Sequence, residues 1–262
     1  MLTEQQVARF QTDGFVKGER ALDDVEVDAL RAEMERVIGE RDRADVPQPV
    51  QLSNLGTEDR PVWQIVNIWQ ASKPYADLIR NPRITEEIAQ LTEAAELRIW
   101  HDQIQYKPAQ QGGTNTWHQD APLWPVLRPN TQVTAWVALD DVDVSNGCMS
   151  MVPGSHRWGD QMAFLRTAEG GFELPGEYEG KPVEIVSRPV AKGEVHYHHS
   201  LTWHGSHNNT SGRPRRAIAI HLMGGDTEFV ASGNHPMKKF VAVADGRKLE
   251  GDAFPVVYRR PA

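Results

Sequence analysis

The chain has 262 residues, 39% of them hydrophobic and 24% charged, with a formal net charge of -8. That profile fits one sizeable folded domain and excludes a disordered, fibrous or strongly basic class, so neither nucleic acid nor an anionic membrane is an expected partner. Cys148 alone cannot build an internal disulfide framework, the opening MLTEQQVARF lacks the marks of a signal peptide, and no run approaches the roughly 18 apolar residues of a membrane span. The expectation is a cytoplasmic protein, monomer or homodimer, that meets a small molecule.

In chain order, Thr3 and Gln6 form a capping-box pattern for a first helix that Gly14 stops. A second helix starts near Asp23 or Asp24, with Val27, Leu30, Met34 and Val37 or Ile38 at helical spacing, and a third runs from about Pro82 to Leu91. From Leu97 onward the chain breaks into short strand-like runs separated by Gly, Pro, Asn and Asp. These are Leu97–Lys107, Thr131–Leu139, Cys148–Val152, Pro182–Val186, Glu194–His199, Arg216–Met223 and Phe254–Tyr258. The predicted fold is mainly β, a jelly roll with helices packed outside: one domain over 1–262, helical over 1–95, with the jelly-roll core over 96–262. The Gly- and Glu-rich segment Ala168–Gly180 reads as a long surface loop placed to act as a lid.

The chemistry concentrates in two places. Trp117-His118-Gln119-Asp120 sets an imidazole and a carboxylate two residues apart, so an extended backbone sends both to one face. Trp203-His204-Gly205-Ser206 opens a turn after the Glu194–His199 run and offers one more imidazole. Together they would make a 2-His-1-carboxylate facial triad, which leaves positions open on Fe(II). A lone His-x-Asp is more often a hydrogen-bonded surface pair, so the surroundings must decide.

The surrounding segments do so by resemblance. GTNTWHQDAPLWP, ALDDVDVSNGCMSMVPGSH and HGSHNNTSGRPRRAIAIH, in that order over Gly112 to His221, resemble the phytanoyl-CoA dioxygenase family of 2-oxoglutarate oxygenases, with a fainter match at DGFV, Asp13–Val16. The resemblance implies a jelly-roll (double-stranded β-helix) core, Fe(II) as metal, and 2-oxoglutarate and O2 as cosubstrates. It makes His118, Asp120 and His204 the metal ligands and places Gln103, Trp136, Ser206 and Arg215 around 2-oxoglutarate, with Arg215 on the far carboxylate. No catalytic side chain is implied beyond the metal ligands. The family often carries a lysine near Gln64, which is absent there, leaving Gln64 or Asn67 as substitutes.

The residues themselves support these assignments unequally. A guanidinium fork suits a carboxylate, and Arg213, Arg215 and Arg216 are all candidates. On a strand, Arg215 shares a face with Ala217, Ala219 and His221, and those small residues leave room for a ligand. Trp136 in mid-strand would by itself be core. Gln103 alternates with His101, Gln105 and Lys107 on a face that borders either a wet cavity or the outside of the sheet. His196, His198 and His199 are expected to pack, hydrogen-bond or line the pocket, His156 to serve a turn, and Cys148 to be buried and inert.

The function implied is oxygenation at an unactivated C–H bond of a small organic molecule, a natural-product intermediate, by hydroxylation or oxidative ring or C–O bond formation with release of succinate and CO2. The retained Asp120 argues against halogenation. Trp63, Trp69 and Trp124 are candidates for a stacking wall. An acyl-CoA hydroxylase is the alternative, though a CoA site calls for basic residues that are not concentrated anywhere here. A zinc hydrolase would need neither Arg215 nor three ordered segments, and an inactive metal-binding homologue that keeps the triad without turnover is the remaining alternative.

Overall fold

The computed structural model describes residues 1–55, 62–110, 113–167 and 172–261. Two antiparallel sheets face each other. The larger runs, in spatial order, Phe15–Arg20, Glu194–His199, Val133–Ala138, Arg215–Gly224, Glu96–Lys107, Trp63–Val66 and Gln51–Asn54, with Val256–Arg259 also paired to Glu96–Lys107. The smaller runs Val186–Arg188, Met149–Met151, His204–Ser206, Asn115–His118. This is the expected jelly roll with flanking helices.

Alternation along each central strand divides the chain's chemistry between two faces. Val133, Ala135, Val137, Val195, Tyr197, Ile218 and Ile220 point outward and pack on the helices Glu4–Asp13, Asp24–Gly39 and Pro82–Thr92 through Phe10, Val27, Leu30, Met34, Ile84 and Ile88. The intervening residues face the second sheet. The first helix carries the capping box read from sequence, Thr3 with Gln6, and ends on Gly14 at φ 85°; the second starts on a further box, Asp23 with Glu26. That left-handed position suits a residue without Cβ.

Three points depart from the sequence reading. Residues 1–95 are not simply helical: Phe15–Arg20, Gln51–Asn54 and Trp63–Val66 are strands of the larger sheet. Their short lengths and partly exposed patterns gave little periodicity, and pairing with distant strands creates them. His204 lies in a strand, not a turn. The expected lid is partly outside the described residues, at 168–171. Its described remainder packs on the far side of the smaller sheet, where Phe172 stacks on Trp117 at 4.8 Å and its carbonyl accepts the Trp117 Nε1–H at 2.9 Å.

Candidate metal centre and its cavity

His204 and His118 are paired residues on adjacent strands of the smaller sheet. That cross-strand pairing sets the two imidazoles side by side, with ring centroids 4.1 Å apart. Gly205 permits the close approach, since a Cβ there would meet the Asn115 carbonyl at 2.9 Å. Asp120 follows as the chain turns into a short 3-10 helix, Ala121–Leu123. Its Oδ1 lies 3.8 Å from His118 Nε2 and 3.7 Å from His204 Nε2.

The hydrogen bonds settle the tautomers. Nδ1 of His118 is 2.8 Å from the Thr116 carbonyl and Nδ1 of His204 is 2.9 Å from the Thr202 carbonyl. A carbonyl only accepts, so each Nδ1 carries the proton and each Nε2 turns a lone pair toward Asp120. Burial, reinforced by the neighbouring His204, holds the His118 pKa down to about 4 against the pull of Asp120. Three donor atoms within 4.8 Å of one another, two neutral imidazoles and one carboxylate, fit a divalent metal.

Asp120 is itself fixed from the larger sheet. Its Oδ2 accepts from Thr134 Oγ1 at 3.2 Å and from His198 Nε2 at 3.3 Å. The Thr134 proton is thus committed, so the 2.8 Å contact between Thr134 Oγ1 and His221 Nδ1 must be donated by His221. His198, Thr134, His221 and His101 form one register row across four strands. This row, none of which the sequence marked as a carboxylate support, follows from strand pairing alone. Gln119, between the ligands, is a brace: its Nε2 donates to the Gly159 and Leu201 carbonyls at 2.8 and 2.7 Å, and its Oε1 accepts from Gln161 N at 2.7 Å.

Between the sheets lies a cavity of about 430 Å³ lined by the triad together with Gln103, Trp136, Ser206 and Arg215. The next register row is His196, Trp136, Ala219, Gln103, Val66 and Gln51, so the face carrying Gln103 borders the cavity and not the outside. Arg215 is 0% exposed, its guanidinium lies 4.8 Å over the Trp136 ring, and none of its three nitrogens has a hydrogen-bond partner among the described residues. Burial alone pulls its pKa down to about 10, which still leaves it charged. A buried guanidinium without a partner is costly, and it marks a place for an anion. Arg216 points the other way and is held by Asp140 through Nε and Nη2, both at 2.9 Å. Arg213 pairs with the exposed Asp143.

Other expected contributors separate. Gln64, Trp63 and Trp124 line the cavity, whereas Asn67 and Trp69 do not. Asn67 Oδ1 accepts from Asp102 N at 3.2 Å and its Nδ2 faces Met237 Sδ, because the chain there winds into a 3-10 turn. Trp69 lies under the Arg80 guanidinium, 6.0 Å away. His196 Nε2 contacts Arg188 Nε at 3.1 Å, His199 Nδ1 accepts from Leu201 N at 3.0 Å, and His156 lies in the 3-10 turn Ser155–Trp158. Cys148 is buried. Lys107, unmarked by sequence because a lysine on a polar strand face is normally solvated, lies buried in the cavity wall.

The phytanoyl-CoA dioxygenase family model matches residues 10–217. A zebrafish (Danio rerio) phytanoyl-CoA dioxygenase domain-containing protein 1 is 28% identical over 268 residues, covering 85% of this chain and 90% of the relative. The crystal structure of the non-heme alpha-ketoglutarate-dependent carbocyclase SnoK from nogalamycin biosynthesis superposes with TM-score 0.78 at 28% identity, covering 98% of this chain and 97% of that one. The epimerase SnoN, solved with Fe3+, alpha-ketoglutarate and nogalamycin RO, superposes with TM-score 0.75 at 25% identity over 97% of this chain and 98% of its own.

Proposed function

Because this chain belongs to the phytanoyl-CoA dioxygenase family, and is therefore a 2-oxoglutarate-dependent dioxygenase that uses iron, we propose that His118, Asp120 and His204 hold the metal. Nε2, Oδ1 and Nε2 are the donor atoms. Gln103, Trp136, Ser206 and Arg215 form the 2-oxoglutarate site. The single observation that carries this reading is the unpartnered, fully buried Arg215 guanidinium in the same cavity as the three converging donor atoms. A zinc hydrolase would have no use for that cation.

When bound, iron with 2-oxoglutarate and O2 supplies oxidative decarboxylation to succinate and CO2 and the oxidising equivalent that takes hydrogen from a C–H bond. The chain's own residues do the placing. Arg215 anchors the far carboxylate by its planar fork and Trp136 keeps that guanidinium flat. Thr134 and His198 hold Asp120 to one donor oxygen, which keeps the remaining metal positions free. The two sheets exclude water from the reacting atoms.

The substrate is an uncharged small molecule of natural-product type. Among the described lining residues, Asp120 and Arg215 are the charged groups, and Lys107 beside Arg215 is the one other basic chain that an anion would charge. The rest of the wall is neutral: Gln51, Gln64, Gln103, Gln105, Trp63 and Trp124. Gln64 and Gln105 are directly paired across strands. Such a wall offers stacking and hydrogen bonds to a ring bearing hydroxyl or carbonyl groups, and no cation for the phosphates of an acyl-CoA. SnoK, a carbocyclase from nogalamycin biosynthesis, and SnoN, an epimerase solved with nogalamycin RO, favour the same reading. In the test, protein reconstituted with Fe(II) in air is given 2-oxoglutarate and ascorbate, and succinate is measured with and without candidate substrates. Succinate formation that disappears in His118→Ala, and that neutral polycycles or glycosides stimulate more than acyl-CoA esters do, is expected. No succinate, or stimulation by acyl-CoA alone, overturns the reading.

A further inference from the structure

Lys107 stands directly opposite Arg215 in the pairing of Glu96–Lys107 with Arg215–Gly224. The two residues thus share a face and are close neighbours. Both are buried, Lys107 at 2% and Arg215 at 0% exposure, and no carboxylate among the described residues forms an ion pair with either. A lysine and an arginine placed side by side inside a protein forfeit hydration and repel each other whenever both are charged, an arrangement that persists where it serves an anion. Lys107 Nζ is held by three oxygens: Ser206 Oγ at 2.7 Å, the His207 carbonyl at 2.7 Å and the Ser206 carbonyl at 3.4 Å. The strand end that carries it is tied down by Asn209, whose Nδ2 donates to the Lys107, Pro108 and Arg213 carbonyls at 3.3, 3.0 and 2.7 Å.

An ammonium has donors only. When Lys107 is charged, Ser206 Oγ must accept from it, and the serine's own proton is left to donate into the cavity beside Arg215. When Lys107 is neutral, its lone pair competes for that serine proton. We propose that Lys107 is a positioning residue for the anionic end of the cosubstrate: it adds a second positive charge beside Arg215 and turns the Ser206 hydroxyl outward as a donor to the same carboxylate. This rests on the proposed 2-oxoglutarate site and assigns, within it, a lysine eleven residues before His118 in place of the one missing near Gln64.

Burial, with Arg215 as a second cause, draws the Lys107 pKa down to about 6, and an arriving carboxylate raises it again. Binding therefore brings a proton with it.

The test compares the whole protein with Lys107→Met, both loaded with Mn(II), by calorimetry against two ligands. One is 2-oxoglutarate. The other is 2-oxovalerate, which keeps the keto acid and replaces the far carboxylate by a methyl group. The expected result is a loss of affinity for 2-oxoglutarate of about 30-fold or more in the variant, with less than a threefold change for 2-oxovalerate and unchanged Mn(II) binding. Wild-type titrations at pH 8 in two buffers of different ionisation enthalpy should show net proton uptake that the variant lacks. Equal losses for both ligands would mean that Lys107 serves only the fold, and unchanged 2-oxoglutarate affinity would remove it from the site. If wild-type protein binds neither ligand, the cosubstrate site itself fails, an outcome separate from both.

Discussion

The Nε2–H of His198 donates to Oδ2 of Asp120 across 3.3 Å, on the oxygen that Thr134 also addresses from 3.2 Å. Two donors on one carboxylate oxygen leave the other for the metal, and supports of this kind set the orientation and basicity of a metal ligand. Thr134→Val removes one donor at nearly constant volume and also strands the Nδ1–H of His221. Metal affinity, measured by competition with a chelator, is expected to fall about tenfold or more, with the circular dichroism spectrum unchanged. Retained affinity would show that the row across the larger sheet does not support the site.

Arg215 carries a testable contradiction between stability and function. Arg215→Met exchanges a buried, unpartnered cation for an apolar chain of similar length against Trp136. The ligand-free variant is expected to be at least as stable as the parent, by up to about 1–4 kcal/mol. Its affinity for 2-oxoglutarate should fall by about 100-fold while metal binding persists. Thermal unfolding and calorimetry read the two effects separately, and a clearly lower melting temperature would mean that the guanidinium is structural.

The pH dependence of cosubstrate binding follows from Lys107, whose charged and titratable surroundings are Arg215, Cys148 and His207. Arg215, at about 10, stays charged throughout the window. Lys107 is near 6 in the free protein and higher once an anion is present, so binding takes up a proton between those two values. Affinity should therefore rise as pH falls from about 8 toward 6 and level off below, the opposite of a site that must lose a proton to bind. For the ligand-free fold the sign is also fixed: the folded value lies below the ordinary 10.5, so the contribution of Lys107 to stability is present at high pH and lost as pH falls toward 6.

Asp140 holds the outward-facing arginine in place. It accepts from Arg216 N, Nε and Nη2 at 2.8, 2.9 and 2.9 Å and from Arg31 Nη2 at 2.6 Å. Asp140→Ala leaves the partly buried Arg31 and Arg216 guanidinium groups with only the exposed carboxylates of Asp28 and Glu35, at 3.0 and 3.4 Å, and should cost about 2–3 kcal/mol of stability in denaturant unfolding. The anchoring of Arg216 also fixes which way Arg215 points, so a modest weakening of 2-oxoglutarate binding should accompany the loss.

What could be read in the sequence was local. His118 and Asp120 share a face because they are two apart, and the choice of Arg215 over Arg216 followed from parity on a strand, since the alanines at 217 and 219 lie beneath it. The capping box of Thr3 with Gln6 is likewise contained within four residues. What could not be read depends on pairing between distant strands. The row His198, Thr134, His221 and His101 draws on four strands spread over some 120 residues. Lys107 meets Arg215 only through a register that no spacing reveals. Asn67 and Trp69 were misplaced because buried Asp102, accepting from Ile68 N and Trp69 N at 2.9 and 3.2 Å, winds that segment away from the cavity.

The most direct measurement is anomalous diffraction at the iron edge from crystals grown without oxygen with Fe(II) and 2-oxoglutarate. The account predicts one metal peak bounded by Nε2 of His118, Oδ1 of Asp120 and Nε2 of His204, with the far carboxylate of the cosubstrate on Arg215 and Ser206. Iron bound elsewhere, or 2-oxoglutarate seated with that carboxylate away from Arg215, would contradict it.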